Sequence, residues 1–94
     1  MGIKELFNVF SDPVRLKMVE LLKERDWTPS QLAEELGLSR PTITHHLKLM
    51  RNAGVVNCIK RGKEVICSLE ETVFQEILEF AARFLRKKGG ENEV

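Results

Sequence analysis

The stretch from Thr28 to Gly54, TPSQLAEELGLSRPTITHHLKLMRNAG, constrains the chain most, because each of its two helical segments carries its own start and stop signals. Thr28 can accept from the backbone N–H of Gln31 while the Gln31 side chain reaches back, and Pro29 occupies the first helical position, where no donor is lost. Leu32, Ala33 and Leu36 form an inward stripe, with Ala33 small enough for a second helix to cross closely. Gly37 supplies the positive φ that ends the segment. Ser39 is the natural N-cap of the next helix, although Pro41 disfavours the α region for Arg40 and allows a start one residue later. Gly54 ends it. Two short helices joined by a tight turn make a helix-turn-helix.

On the second of these helices Ile43, Leu47 and Met50 recur at i, i+4 and i+7 and must face a core, which turns Pro41, Thr44, His45, Lys48 and Asn52 outward. A merely solvated bundle helix would carry interspersed Glu and Lys, whereas this one has short hydroxyls, an imidazole and cations, and no carboxylate. Short polar side chains let a helix approach base edges in a major groove, and Arg, Lys and Asn supply the groups that direct readout uses.

The 94 residues suffice for one small domain whose limited core would gain from oligomerisation. Hydrophobic content of 43% and charged content of 31% are globular values, and no apolar run approaches the roughly 18 residues of a membrane span. A soluble protein without membrane association is expected. The amino terminus has acids and helical spacing where a signal peptide would have a basic start and an unbroken apolar run, so it should belong to the fold. Two cysteines without a secretory signal make no disulfide framework and imply a reducing, cytoplasmic setting. The net charge is only +1, but residues 37–63 hold six Lys and Arg and no Asp or Glu, between net-negative flanks. Such a concentrated basic segment is what a nucleic-acid binder shows.

Ile3, Leu6, Phe7 and Phe10 lie on one stripe of a short first helix that should end at Ser11-Asp12-Pro13. Asp12 as N-cap and Pro13 open a second helix, with Val14, Met18, Leu21 and Leu22 inward, through about Lys23. Trp27 reads as an apolar anchor between this helix and a sheet. Two β-branched runs, Val55–Arg61 and Glu64–Leu69, flank Gly62-Lys63, a hairpin signal with a type II′ turn. That loop pairs residues whose numbers sum to 125, setting Cys58 opposite Cys67 and placing Val56, Cys58, Val65, Cys67 and Leu69 on one inward face. Lys60, Arg61 and Lys63 gather at the tip, a basic wing that can follow the phosphate backbone. Cys58 and Cys67 are a possible redox pair, because a non-hydrogen-bonded position brings Cα atoms within disulfide reach, yet their apolar neighbours favour two inert thiols.

Ser68-Leu69-Glu70-Glu71 reads as a second capping box opening a last helix to about Lys88. Val73, Ile77, Phe80 and Phe84 form one stripe and Phe74, Leu78, Ala81 and Leu85 a second, together about 160° wide where roughly 100° covers one core. The surplus implies a partner, most simply the same helix of a second copy assisted by Leu6, Phe7 and Phe10 of the first helix. The expected organisation is a single domain over 1–88, with the helix-turn-helix at 28–54, the wing at 55–69, the dimerisation helix at 69–88 and a flexible tail at 89–94. The fold class is mainly α with a small β-hairpin, in the order α-α-α-α-β-β-α.

This order, together with Asp-Pro-Val-Arg at 12–15 and Ser-x-x-x-Ile-Thr-His-His-Leu at 39–47, closely resembles the ArsR (ArsR/SmtB) family of winged-helix repressors over residues 3–88. The resemblance implies a homodimer joined through its first and last helices, bound to an imperfect palindrome of double-stranded DNA and released by an inducer. It assigns DNA-facing roles to Ser39, Arg40, Thr42, Thr44, His45, His46 and the wing, to which the outward face adds Pro41 and Lys48. Many relatives hold a metal through a Cys-x-Cys pair before the recognition helix or through Asp and His on the last helix, and this chain has neither at the matching positions, so no metal or other cofactor is expected. The expected function is sequence-specific transcriptional regulation. A winged helix used for protein interaction, and a thiol-based redox-responsive regulator, are the alternatives, and no enzymatic constellation can be assembled.

Overall fold

The computed structural model describes residues 2–92, with side-chain surroundings through Leu85. Five helices and one hairpin follow the expected order: α1 (Ile3–Phe10), α2 (Pro13–Glu24), α3 (Pro29–Leu36), α4 (Arg40–Asn52), β1 (Val56–Arg61), β2 (Glu64–Leu69) and α5 (Glu71–Asn92).

The helix ends are set by bonds between residues two to five positions apart. The Asp12 carboxylate accepts from the amides of Val14 and Arg15 at 2.8 and 3.2 Å and opens α2. The Thr28–Gln31 capping box is complete, with the Gln31 amide 3.1 Å from the Thr28 hydroxyl and the Thr28 amide 2.9 Å from Gln31 Oε1. Gly37, at φ 66°, closes α3 as its own amide and that of Leu38 donate back to Glu34 and Ala33 at 3.3 and 3.0 Å. Ser39 caps α4 and the helix begins at Arg40, with no delay from Pro41. The bonds from Thr42 N–H to the Ser39 hydroxyl and from Ile43 N–H to the Ser39 carbonyl offset the steric preference that proline imposes on Arg40. At the other end Ala53 is the C-cap, and Gly54 at φ 76° lets Gly54 and Val55 donate to Arg51 and Met50 at 2.9 Å each.

The hairpin has the expected register, from Val56 opposite Leu69 to Arg61 opposite Glu64. Gly62 has φ 64° and Lys63 no positive φ, as a type II′ turn requires. Trp27 exchanges two backbone bonds with Cys67, at 3.0 and 2.8 Å, while its indole donates to the Leu21 carbonyl at 2.8 Å and lies under the Arg25 guanidinium. It therefore anchors α2 to the sheet. Two expectations fail here. Cys58 and Cys67 are joined as a disulfide and not held as free thiols, because the register sets them opposite each other with Cα atoms 4.1 Å apart. Ser68 caps nothing: it stays in β2 opposite Asn57, the Glu70 amide bonds the Val55 carbonyl at 2.9 Å, and α5 starts only at Glu71.

Met18, Leu32, Ile43, Met50, Val9, Val55 and Cys67 are the largest fully buried side chains among the described residues, and they join the first two helices, the helix-turn-helix and the base of the wing in one core. On α2 the buried stripe is Arg15, Met18, Val19 and Leu22, while Val14 and Leu21 are half-buried. On α1 the core residue is Val9, with Ile3 and Phe7 exposed. Helix α5 continues past the expected end at Lys88, through Gly89 and Gly90, to Asn92, because glycine costs a helix only about 1 kcal/mol. That places Glu91 and Asn92 of the expected tail in the helix, and Glu93 and Val94 lie outside the described residues. The Cα radius of gyration is 15.8 Å, against about 12 Å for a compact chain of this length, and the longest extent is 58 Å. The long α5 thus reaches beyond the core.

Nothing lies within 4 Å of the position a Cβ would take at Gly37, so a side chain there meets no obstacle except its own backbone. Gly37→Ala should lower stability by about 1 kcal/mol, the cost of the left-handed conformation, without rearranging the core. Chemical denaturation of the two proteins measures this directly, and an unchanged midpoint would refute it.

Candidate nucleic-acid interface

Helix α4 splits cleanly into two sides. Ile43, Leu47 and Met50 are buried, while Arg40, Pro41, Thr42, Thr44, His45, Lys48, Arg51 and Asn52 are exposed. At its start the Ser39 and Thr42 hydroxyls lie 2.8 Å apart, and Arg40 Nη1 donates to the Ser30 hydroxyl at 2.6 Å, which ties the exposed face to α3. No carboxylate interrupts this side, and the positive end of the α4 dipole adds to its cations. The wing continues the same charge: Lys60, Arg61 and Lys63 are all exposed, and Glu64, opposite Arg61, is the acid at the tip. Such a surface can attract a polyanion and present hydroxyls and an imidazole at short range.

His46 departs from this set. It is buried, and its Nδ1 lies 3.1 Å from Nη1 of Arg15, itself buried. Burial pushes the His46 pKa down, Arg15 and His45 push it the same way, and the nearby Asp12 opposes them without prevailing. For Asp12, burial raises the pKa, but the amides of Arg15 and Val14 and the charges of Arg15 and His46 hold it below the ordinary value. Arg15 was not among the expected site or core residues. The signal existed in its spacing, since Arg15, Met18, Val19 and Leu22 stand at i, i+3, i+4 and i+7, but a charged residue in a core stripe is not assigned inward without a visible partner.

Away from this face, α1 and α5 enclose a groove of about 520 Å³ lined by Ile3, Leu6, Phe7, Phe10, Ile77, Phe80, Ala81, Phe84 and Leu85, with Glu76 at its edge. Phe10 and Phe74 meet edge to face at 5.9 Å and join the two helices at the base. Leu6, Phe10, Phe74, Ile77 and Ala81 are half-buried, whereas Phe7, Leu78, Phe80, Phe84 and Leu85 are each more than half exposed. Among the described residues no three His, Cys, Asp or Glu side chains converge as a metal site would need, and no helix is long and apolar enough to cross a membrane.

With this geometry in place, the relationships to known proteins are informative. Residues 12–57, from the cap of α2 to the start of β1, match the profile of the bacterial regulatory proteins of the arsR family. The transcriptional repressor SdpR of Bacillus subtilis (strain 168) is 34% identical over 92 residues, covering 98% of this chain and 100% of that protein. The structure of an ArsR-like transcriptional regulator from Rhodococcus sp. RHA1 superposes with a TM-score of 0.76 at 29% identity, over 95% of this chain and 78% of its own. Another ArsR family transcriptional regulator shares the fold at a TM-score of 0.82 and 21% identity, over 93% of this chain and 90% of its own. End-to-end similarity to a repressor, a family match on the helix-turn-helix and an exposed basic α4 agree: the chain belongs to the arsR family of bacterial regulatory proteins, whose members are DNA-binding transcriptional regulators and not enzymes.

Proposed function

We propose that this chain is a cytoplasmic repressor that binds an imperfect palindrome of duplex DNA as a homodimer, with α4 in the major groove and the wing on the phosphates. The carrying observation is the acid-free run of exposed cations and short polar groups that passes from α4 onto the wing. In this arrangement Ser39, Arg40, Pro41, Thr42, Thr44, His45 and Lys48 face the groove, and Lys60, Arg61 and Lys63 meet phosphates. His46 supports the helix from behind. Two half-sites would lie about 10 bp apart, as a twofold pair of recognition helices requires.

The apolar groove supports the dimer. Six of the eight large hydrophobic residues left exposed among the described residues, Ile3, Phe7, Leu78, Phe80, Phe84 and Leu85, sit on α1 and α5. A second copy applying the same two helices about a twofold axis would cover them. Phe80→Glu or Phe84→Glu should convert the dimer to a monomer, because each puts a charge into that contact. Sedimentation of wild type and variants tests it, and an unchanged mass would place the contact elsewhere.

Binding should weaken by orders of magnitude from low to physiological salt, with the slope of log K against log salt falling by about 0.9 for every phosphate contact removed. Replacing Lys60, Arg61 and Lys63 by alanine should lower affinity for all sequences alike, whereas replacing Arg40, Thr44 or His45 should change which sequence is preferred. Selection of duplexes from a random pool, repeated with each variant, reads both effects. Indistinguishable results from the two groups would refute the division of labour, and no selection at all would favour a protein-interaction module.

The Cys58–Cys67 bond supports a second reading, a regulator that responds to thiols. A dithiol would reduce the bond to two cysteine thiols and become a disulfide itself, removing a cross-link across a ten-residue loop worth about 2–3 kcal/mol. Reduction should then lower the melting temperature and weaken DNA binding, and Cys58→Ser should reproduce both. Binding unaffected by reductant would leave the bond a structural staple.

A further inference from the structure

Arg15 stands at the third position of α2, where its amide is already used by the Asp12 cap, and its side chain turns back across the α1–α2 junction. There Nε donates to the Val9 carbonyl at 3.2 Å and Nη2 to the Asn8 carbonyl at 2.9 Å. Both acceptors belong to the last turn of α1, at the negative end of its dipole, and the Asn8 carbonyl also accepts from the Ser11 amide and hydroxyl at 3.4 and 2.8 Å. The remaining arm, Nη1, lies 3.1 Å from Nδ1 of His46 on α4. One guanidinium, carried on α2, therefore touches two other helices.

The chemistry of that last contact has one solution. Arginine only donates, so Nδ1 must present its lone pair, and the single hydrogen of the neutral ring must sit on Nε2. A proton on Nδ1 would remove the acceptor and set two cations side by side. The charged and titratable groups near the ring are Asp12 and Arg15 at the α1–α2 junction and His45 on α4 itself. Ile43, Leu47 and Met50 hold α4 against the core by contacts that have no preferred direction, whereas the Arg15–His46 bond is directional and buried.

We propose that Arg15 is a positioning residue for DNA reading: by tying the end of α1 to His46 it fixes the ring in the neutral Nε2–H form and sets the rotation of α4 that presents Thr44 and His45. The proposal rests on α4 being the helix that reads DNA. It also connects two regions of the molecule, because α1 is a wall of the apolar groove and its last carbonyls are the acceptors of Arg15.

The test uses the full chain, nitrogen-15 spectra of its imidazoles from pH 7 to 5, and two duplexes: one selected by the wild type from a random pool and its shuffled counterpart. In wild type His46 should keep a bare Nδ1 and titrate below the ordinary histidine value of about 6.5, chiefly because it is buried, while Arg15→Met, which removes one of the charges that lower it, should move the titration upward. The affinity ratio between selected and shuffled duplex should fall about tenfold in Arg15→Met and in His46→Leu. His46→Asn, whose Oδ1 replaces the Nδ1 acceptor, should stay within about threefold of wild type, since tenfold is about 1.4 kcal/mol and the bond is retained. The folded ring takes a proton less readily than the unfolded one, so acidification below about pH 6.5 should cost wild-type stability, and His46→Asn should remove that loss. A wild-type His46 protonated on Nδ1, or a ratio unchanged in Arg15→Met, would overturn the proposal. If Arg15→Met does not fold, the His46 pair decides: Asn no better than Leu overturns it, and Asn rescuing where Leu fails supports it. A wild type that binds both duplexes equally would show that α4 is not the reading helix, and the proposal falls with it.

Discussion

The orientation of α4 about its own axis decides which of its side chains are buried and which are presented to solvent, and it is set at both ends by short-range bonds. Ser39 fixes the first turn and Gly54 the last, and between them Ile43, Leu47 and Met50 are delivered to the core together. Once those three are inward, the short polar and cationic residues have only solvent or a ligand to face. The exit matters as much as the entry, because the amide of Val55 closes the helix while its carbonyl receives Glu70, so one residue ends α4, starts the wing and holds the base of α5. A slip of one residue at either cap would turn the whole basic face.

Elements whose determinants lie within a few residues of one another were legible in the sequence. The capping box at Thr28, the Asp12 cap, the left-handed Gly37 and the two-residue turn at Gly62 each depend on neighbours, and the turn alone was enough to set the strand register. What escaped depended on partners far along the chain. Arg15 meets His46 across 31 positions, and neither side chain announces the other. Ser68 satisfied a capping pattern, but pairing with Asn57 claimed it, a case of tertiary context overriding a local signal. The end of α5 lies beyond Lys88 because glycine is a weak stop and not a barrier. The disulfide follows from the cross-strand register, a geometric condition that outweighs the apolar surroundings that would favour free thiols.

The small core explains why the apolar and the basic surfaces lie on different elements. A core drawn from α2, α3, α4 and the wing base leaves α1 and α5 joined to it through residues such as Val9, Phe10, Val73 and Phe74. The apolar surface beyond these is therefore unsatisfied in one copy, and the basic face lies on the other elements. Arg15 is where the two regions meet, since its guanidinium is bound both to the end of α1 and to the ring on α4.

The bridge between Trp27 and Cys67 has a consequence for the sheet as a surface. A two-stranded ribbon ordinarily offers two unpaired edges, each a template onto which another chain can add a strand. Here the backbone of Trp27 occupies β2 at Cys67, so the outer side of β1 is the edge left open along its length. That edge carries the exposed Ile59 beside Lys60 and Arg61, and charged side chains are what commonly deter edge-to-edge association. Lys60 and Arg61 thus stand where they would oppose the addition of a second copy to a short, partly apolar strand.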